Sequence, residues 1–295
     1  MEKIAKALKT DDCDANAAKA KAYRNLAQEI KEEFQTRYVD ADGDLKQKSQ
    51  TAYLLALKQD LFPTEEARKK GLETLTRKIA GNGNRLSTGF VGTAILNQTL
   101  SQFGESNTAY DLLLQRNNPS WLYSIDQGAT TIWERWDSYT KEKGFGPVSM
   151  NSFNHYSYGA VSEWMYRTMG GIDIDETRPG FKHIVLQPVP DNRTEIPAGQ
   201  ERINWVNASF PSCYGDIKSS WKKENDGTVS YQVTIPANTT ATLHLLLPTL
   251  DYVVEESGKA AVKAEGVSSV TFMNGKAVLE LQSGTYQFVV KKENK

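Results

Sequence analysis

Two side chains stand out as candidates for chemistry, Glu134 and His155. Glu134 lies in Gln127-Gly-Ala-Thr-Thr-Ile-Trp-Glu-Arg-Trp-Asp137, a carboxylate set between Trp133 and Trp136. His155 is one of three histidines and sits in Asn151-Ser-Phe-Asn-His-Tyr-Ser-Tyr-Gly159. Together the two stretches hold the densest run of aromatics in the chain. Sugar rings present apolar C–H faces that stack on aromatics, and a carboxylate among such rings can hold a hydroxyl or activate a water. Glu134 also has a purely structural reading. Thr131-Ile-Trp-Glu134 fits a capping box, with the threonine at N-cap and the glutamate reaching back from the third helical position. The two roles are compatible. His155, at the start of a predicted helix, serves equally as a structural hydrogen-bonder or, beside the small Ser157 and Gly159, as a contact to a hydroxyl across a cleft. Arg135 and Asp137 read as an exposed pair or as support for Glu134. Trp164 falls on an apolar helix face and reads as core, and His183 and His244 lie in strand-like stretches with structural roles.

The bulk properties narrow the partners. A net charge of −1 with both signs interspersed argues against nucleic acid or an anionic membrane as the main partner. No apolar run reaches the length of a membrane span. Two cysteines, Cys13 and Cys213, and three scattered histidines give neither a disulfide framework nor a zinc site. The sequence calls for no metal and no cofactor: no nucleophile elbow, phosphate-binding loop or dinucleotide fingerprint is present. The first residues, Met-Glu-Lys-Ile-Ala-Lys, open directly as a helix without a signal-peptide pattern, and the compartment is left open.

The elements that must position Glu134 and His155 are helical. At 295 residues, two domains are expected. Residues 1–171 read as successive helices. These are Glu2–Lys9, then Asp14–Tyr38 with Ala18, Ala22, Leu26, Ile30 and Phe34 along one face, then Lys46–Gln59. A helix opened by a Thr64 cap runs to Gly81. Gly89–Phe103 and Glu105–Gln115 follow, then the Glu134 stretch with its own helix. Asn154–Met169 is the last helix, closed by Gly170-Gly171. Asp40-Ala-Asp-Gly-Asp44 has the start of a calcium-loop spacing but lacks the closing glutamate, and reads as a turn. Residues 172–295 change to period two. Val229, Tyr231, Val233 and Ile235 alternate, then Leu243, Leu245 and Leu247, which suggests a hairpin. Asp226-Gly227 and Asn274-Gly275 mark further tight turns, and Tyr286–Val290 reads as the closing strand.

Several of these stretches resemble the bacterial α-L-rhamnosidases of glycoside hydrolase family 78. They are Gly128–Asp137, Ser152–Trp164, Gln50-Thr-Ala-Tyr53, Leu86–Thr93 and Pro179-Gly-Phe-Lys-His183. The resemblance implies an α+β protein in separate domains. The later part of an (α/α)6 barrel, residues 1–171, would be followed by an antiparallel β-sandwich, residues 172–295. It implies inverting hydrolysis of terminal α-L-rhamnose from a glycoside or polysaccharide, with Glu134 as general base and His155 as a rhamnose contact; Trp133 and Trp136, read from their aromatic character, would bind the sugar beside them.

One family feature is missing. The general acid belongs to an earlier motif of the type Asp-Cys-Pro-Gln-Arg, and Asp11-Asp-Cys-Asp14 does not match it. An inverting glycosidase needs two carboxylates. The expectation is therefore a C-terminal fragment, inactive alone, completed by a missing N-terminal part of the same polypeptide. Two alternatives stay open. One is another (α/α)6-barrel glycosidase; the other is a non-catalytic carbohydrate-binding protein that keeps the aromatic cleft.

Overall fold

The computed structural model describes residues 13–249 and 251–293. The helix expected over Glu2–Lys9 lies outside the described residues. The chain divides into two compact units, Met1–Ile95 and Leu96–Lys295.

In the first unit, α1 (Cys13–Tyr38) leads into the Asp40–Asp44 turn. The Asp40 carboxylate accepts from the Asp42 and Asp44 amides, and Lys48 pairs with Asp44, so these acids are occupied as a turn. An isolated bridge joins Val39 to Leu45. That bridge delays α2, expected from Lys46, to Gln50–Lys58, where the Ser49 hydroxyl caps the Ala52 amide. Thr64 caps α3 (Glu65–Gly81) by accepting from the Ala67 amide, as its sequence predicts. Tyr53, Leu54, Leu57, Leu75 and Ile79 make the core of this unit. The face of α1 that repeats every four residues is not part of it: Leu26 is 50% exposed and Ile30 58%.

α4 (Phe90–Gln102) is followed by α5 (Ser106–Leu113) and α6 (Trp121–Asp126). Trp164 is buried, donates its indole N–H to Ser101, and meets Tyr110 edge-on at 5.2 Å. The last helical stretch is shorter and less regular than the expected Asn154–Met169. It opens as a 3-10 turn at Ser157–Ala160, passes through α7 (Val161–Trp164), and ends as a π turn at Met165–Met169. Before it, the His155 amide bonds the Ile132 carbonyl, and residues 151–156 are not helical. Gly171 ends it at φ +74°, and a Cβ there would stand 2.1 Å from the Pro188 nitrogen, so only glycine fits.

A short hairpin of β1 (Tyr139–Thr140) and β2 (Gly144–Phe145) lies between α6 and α7. From residue 172 the regular elements of the described chain are strands, apart from a 3-10 turn at Ala261–Lys263. β3 (Ile172–Ile174), β4 (His183–Leu186), β8 (Thr240–Leu246), β11 (Val267–Met273) and β12 (Lys276–Leu281) form a five-stranded sheet in the order 11-12-8-4-3. A six-stranded sheet has the order 10-9-13-7-6-5. Its strands are β5 (Trp205–Ser212), β6 (Gly215–Lys223), β7 (Val229–Ile235), β9 (Tyr252–Glu256), β10 (Lys259–Ala260) and β13 (Gly284–Lys292). Buried residues of both sheets join one hydrophobic cluster that includes Leu243, Leu245, Tyr231, Val233 and Phe288.

Two expectations need correction. The wholly antiparallel arrangement does not hold, because β4 and β8 run parallel. The long excursion through β5, β6 and β7 supplies the crossover that a parallel pair requires. β7 and β8 are not a hairpin either. They belong to opposite sheets, and each alternates because one of its faces meets the shared cluster. The other turns stand as read. Asn274 and Gly275 both have positive φ in the β11–β12 turn, and Gly227 turns β6 into β7. Both strand histidines lie within strands of the five-stranded sheet. His183 is buried between the Thr240 and Thr242 hydroxyls, and burial holds its pKa and that of His244 below the ordinary value.

Candidate active site

The two aromatic stretches lie side by side. The Glu134 amide donates to the Ser152 carbonyl at 2.9 Å, and the His155 amide donates to the Ile132 carbonyl at 2.9 Å. The Ser152 amide in turn donates to the Glu134 carboxylate at 2.8 Å. The Thr131 hydroxyl donates to the Phe153 carbonyl at 2.5 Å. Four bonds thus fix residues 131–134 against residues 152–155.

This overturns the capping box. Thr131–Asp137 forms bends and turns, not a helix, so there are no helix-terminal amides for Thr131 and Glu134 to satisfy. Their oxygens are engaged with the opposite stretch. The local sequence fits the motif, and the tertiary pairing takes both side chains away from it.

The tryptophans are packed into the protein. Trp136 is stacked on Tyr158 at 3.9 Å and meets Trp121 edge-on at 5.4 Å. One face of its indole is therefore committed to Tyr158. Trp133 meets Phe153 edge-on at 5.3 Å. Both rings border a small cavity of about 70 Å³ shared with Thr131, Ile132 and Tyr158. Glu134 and His155 do not line that cavity. Glu134 is half-buried, and the His155 ring lies parallel to the exposed Tyr156. Arg135 and Asp137 pair with each other at 3.2 Å. Burial pushes the Tyr158 hydroxyl above its ordinary pKa, with Arg135 acting against the rise and the Asp137 and Glu134 charges adding to it.

The supporting residues were less visible in the sequence. Ser138, fully buried, accepts from the Arg135 amide. The Ser124 hydroxyl donates to the Trp136 carbonyl at 2.7 Å, and the Trp121 indole donates to the Tyr158 carbonyl at 2.8 Å. These last two sit on α6, six residues long and too short to show a helical period. The local signal that could have marked it is Ser120, whose hydroxyl caps the Tyr123 amide. Among the described residues no group of three or more His, Cys, Asp or Glu is placed to hold a metal ion.

Comparison with known proteins joins these parts. Residues 1–169 match the bacterial alpha-L-rhamnosidase 6 hairpin glycosidase domain. Residues 171–260 match the bacterial alpha-L-rhamnosidase C-terminal domain. An alpha-L-rhamnosidase of Streptomyces avermitilis is 38% identical over 271 residues, which are 92% of this chain and 24% of that protein. One from Formosa agariphila is 39% identical over 254 residues, 82% of this chain and 25% of that protein. The crystal structure of the Streptomyces avermitilis alpha-L-rhamnosidase complexed with L-rhamnose superposes with a TM-score of 0.82 at 36% identity, over 98% of this chain and 25% of that one. The chain belongs to the bacterial α-L-rhamnosidase family, and it spans about a quarter of the length of these relatives.

Proposed function

We propose that the chain is the C-terminal portion of an inverting α-L-rhamnosidase that removes terminal α-L-rhamnose from a glycoside or polysaccharide. In this reading, residues 1–171 complete an (α/α)6 barrel and residues 172–295 form a β-sandwich. Glu134 is the general base. It takes a proton from a water that attacks the anomeric carbon, while an acid in the preceding part of the polypeptide protonates the departing oxygen and the glycosidic C–O bond breaks. The two carboxyl groups then stand about 6.5–9.5 Å apart to make room for that water. His155 hydrogen-bonds a rhamnose hydroxyl. Trp133 and Trp136 wall the site from behind rather than serve as free stacking platforms, since their rings pack on Phe153 and Tyr158.

The observation that carries this reading is the set of four bonds between residues 131–134 and 152–155. They tie the backbone at Glu134 to the stretch that carries His155, 21 positions on in sequence, which supports a shared site for the two side chains. Irregular backbone locked by side-chain and main-chain bonds suits a site that needs fixed geometry. The test is to assay an aryl α-L-rhamnoside with the full-length enzyme and with this chain alone, following the first product by proton NMR. Inversion gives β-L-rhamnose from the longer enzyme and nothing from this chain. α-L-rhamnose as first product would refute inversion, and turnover by this chain alone would refute the missing acid. Binding of rhamnosides without hydrolysis by the full-length protein would favour the carbohydrate-binding alternative.

A further inference from the structure

Between the two motifs the chain makes a short hairpin, with β1 (Tyr139–Thr140) paired to β2 (Gly144–Phe145). It is well anchored. The Gly146 amide donates to the Ser138 carbonyl at 2.8 Å, the Lys141 amide to the Gln127 side chain at 2.9 Å, and the Lys143 amide to the Thr140 hydroxyl at 3.0 Å. The hairpin carries a phenyl ring, Phe145, that is 76% exposed.

That ring is not isolated. Phe145 meets Tyr139 at 5.3 Å and Phe153 at 5.7 Å, both edge-on, and Phe153 meets Trp133 at 5.3 Å. The series runs from Trp133, 7% exposed and next to Glu134 in sequence, through the half-buried Phe153 to the open Phe145. A lone exposed phenylalanine is ordinary. One held on a bonded hairpin, at the outer end of a row of rings that starts beside the candidate base, has a more specific use. An enzyme that removes a terminal sugar encloses that sugar and leaves the rest of the substrate at its rim.

We infer that Phe145 is a specificity-determining residue at this rim: its ring receives the leaving-group part of an α-L-rhamnoside that has a flat apolar face. An aromatic aglycone and the C–H face of a second sugar share that chemistry. The inference rests on the proposed function and adds which substrates the site prefers. Offset and edge-on ring contacts of this kind change affinity by roughly three- to tenfold.

The test compares wild type, Phe145→Ala and Phe145→Tyr in the full-length enzyme on three substrates: methyl α-L-rhamnoside, a naphthyl α-L-rhamnoside and a rhamnosyl-glucose disaccharide. Phe145→Ala should raise KM roughly three- to tenfold on the naphthyl compound, the disaccharide or both. Methyl rhamnoside kinetics and inhibition by free L-rhamnose should stay unchanged, and Phe145→Tyr should restore the preference. Which of the two large substrates responds identifies the source of the flat face. An equal loss on all three substrates, or no loss on any, overturns the assignment. So does a lowered melting temperature with unchanged kinetics, which would place the ring under another part of the polypeptide. If wild type cleaves none of the three, the proposed function itself fails; if wild type cleaves them and Phe145→Ala is indifferent, only this inference does.

Discussion

α1 and β7 carry equally clean patterns and meet opposite fates. In β7, Val229, Tyr231, Val233 and Ile235 alternate and all four are buried in the cluster shared by the two sheets. In α1, Leu26 and Ile30 recur at helical spacing and stay open to solvent. Periodicity reports which face is suited to burial. Whether a covering surface is present depends on the rest of the fold. The sheet region supplies its own cover from the second sheet. On the α1 face Phe34 is half-buried, but Leu26 and Ile30 have no cover among the described residues, which accords with a chain about a quarter the length of its relatives.

This contrast can be broken by substitution. Phe288 is fully buried in the shared cluster. Phe288→Ala should cost about 3–5 kcal/mol, the usual loss for emptying an aromatic core site. Denaturant unfolding followed through the fluorescence of the buried Trp221 measures it. A loss below about 1 kcal/mol, the scale of a surface change, would mean that the cluster is not the source of sheet stability. At the site the forecast differs in kind. His155→Ala in the full-length enzyme should lower kcat/KM by roughly fivefold to a hundredfold, the equivalent of one or two lost hydrogen bonds, with the melting temperature preserved. Unchanged kinetics with reduced stability would return His155 to a structural role. The smallest effect belongs to α1. Leu26→Gln or Ile30→Gln should move the stability of this chain by no more than about 0.5 kcal/mol. The same substitutions in the longer enzyme should cost about 2 kcal/mol or more if the preceding segment covers this face. Equal, small effects in both would show that the face is left open there too.

The sequence carried the succession of helices and then strands, because the change from a period of 3.6 to a period of two near Gly170-Gly171 is local. Turns with their own chemistry were legible for the same reason: Thr64 as a cap, Asn274-Gly275 and Asp226-Gly227 as hairpin turns. What escaped was anything decided by a partner distant in the chain. The alternation in β7 and β8 could not say that they lie in opposite sheets, and nothing local marks β4 and β8 as parallel. The Glu134 stretch shows this limit most clearly. Thr131 and Glu134 satisfy a capping pattern in sequence, yet Phe153 and Ser152 claim their side chains from across the fold. The candidate site residues stand out in the sequence as a cluster of unusual types; the backbone pairing of their two stretches does not.

Glu134 remains the point on which the functional account turns. Glu134→Gln keeps the shape and can still accept from the Ser152 amide, but it cannot take a proton from water. In the full-length enzyme it should reduce kcat on an aryl α-L-rhamnoside by on the order of a hundredfold or more, while stability moves by no more than about 1 kcal/mol. Near-normal turnover in Glu134→Gln would contradict the account and leave the carboxylate as a brace for residues 152–155.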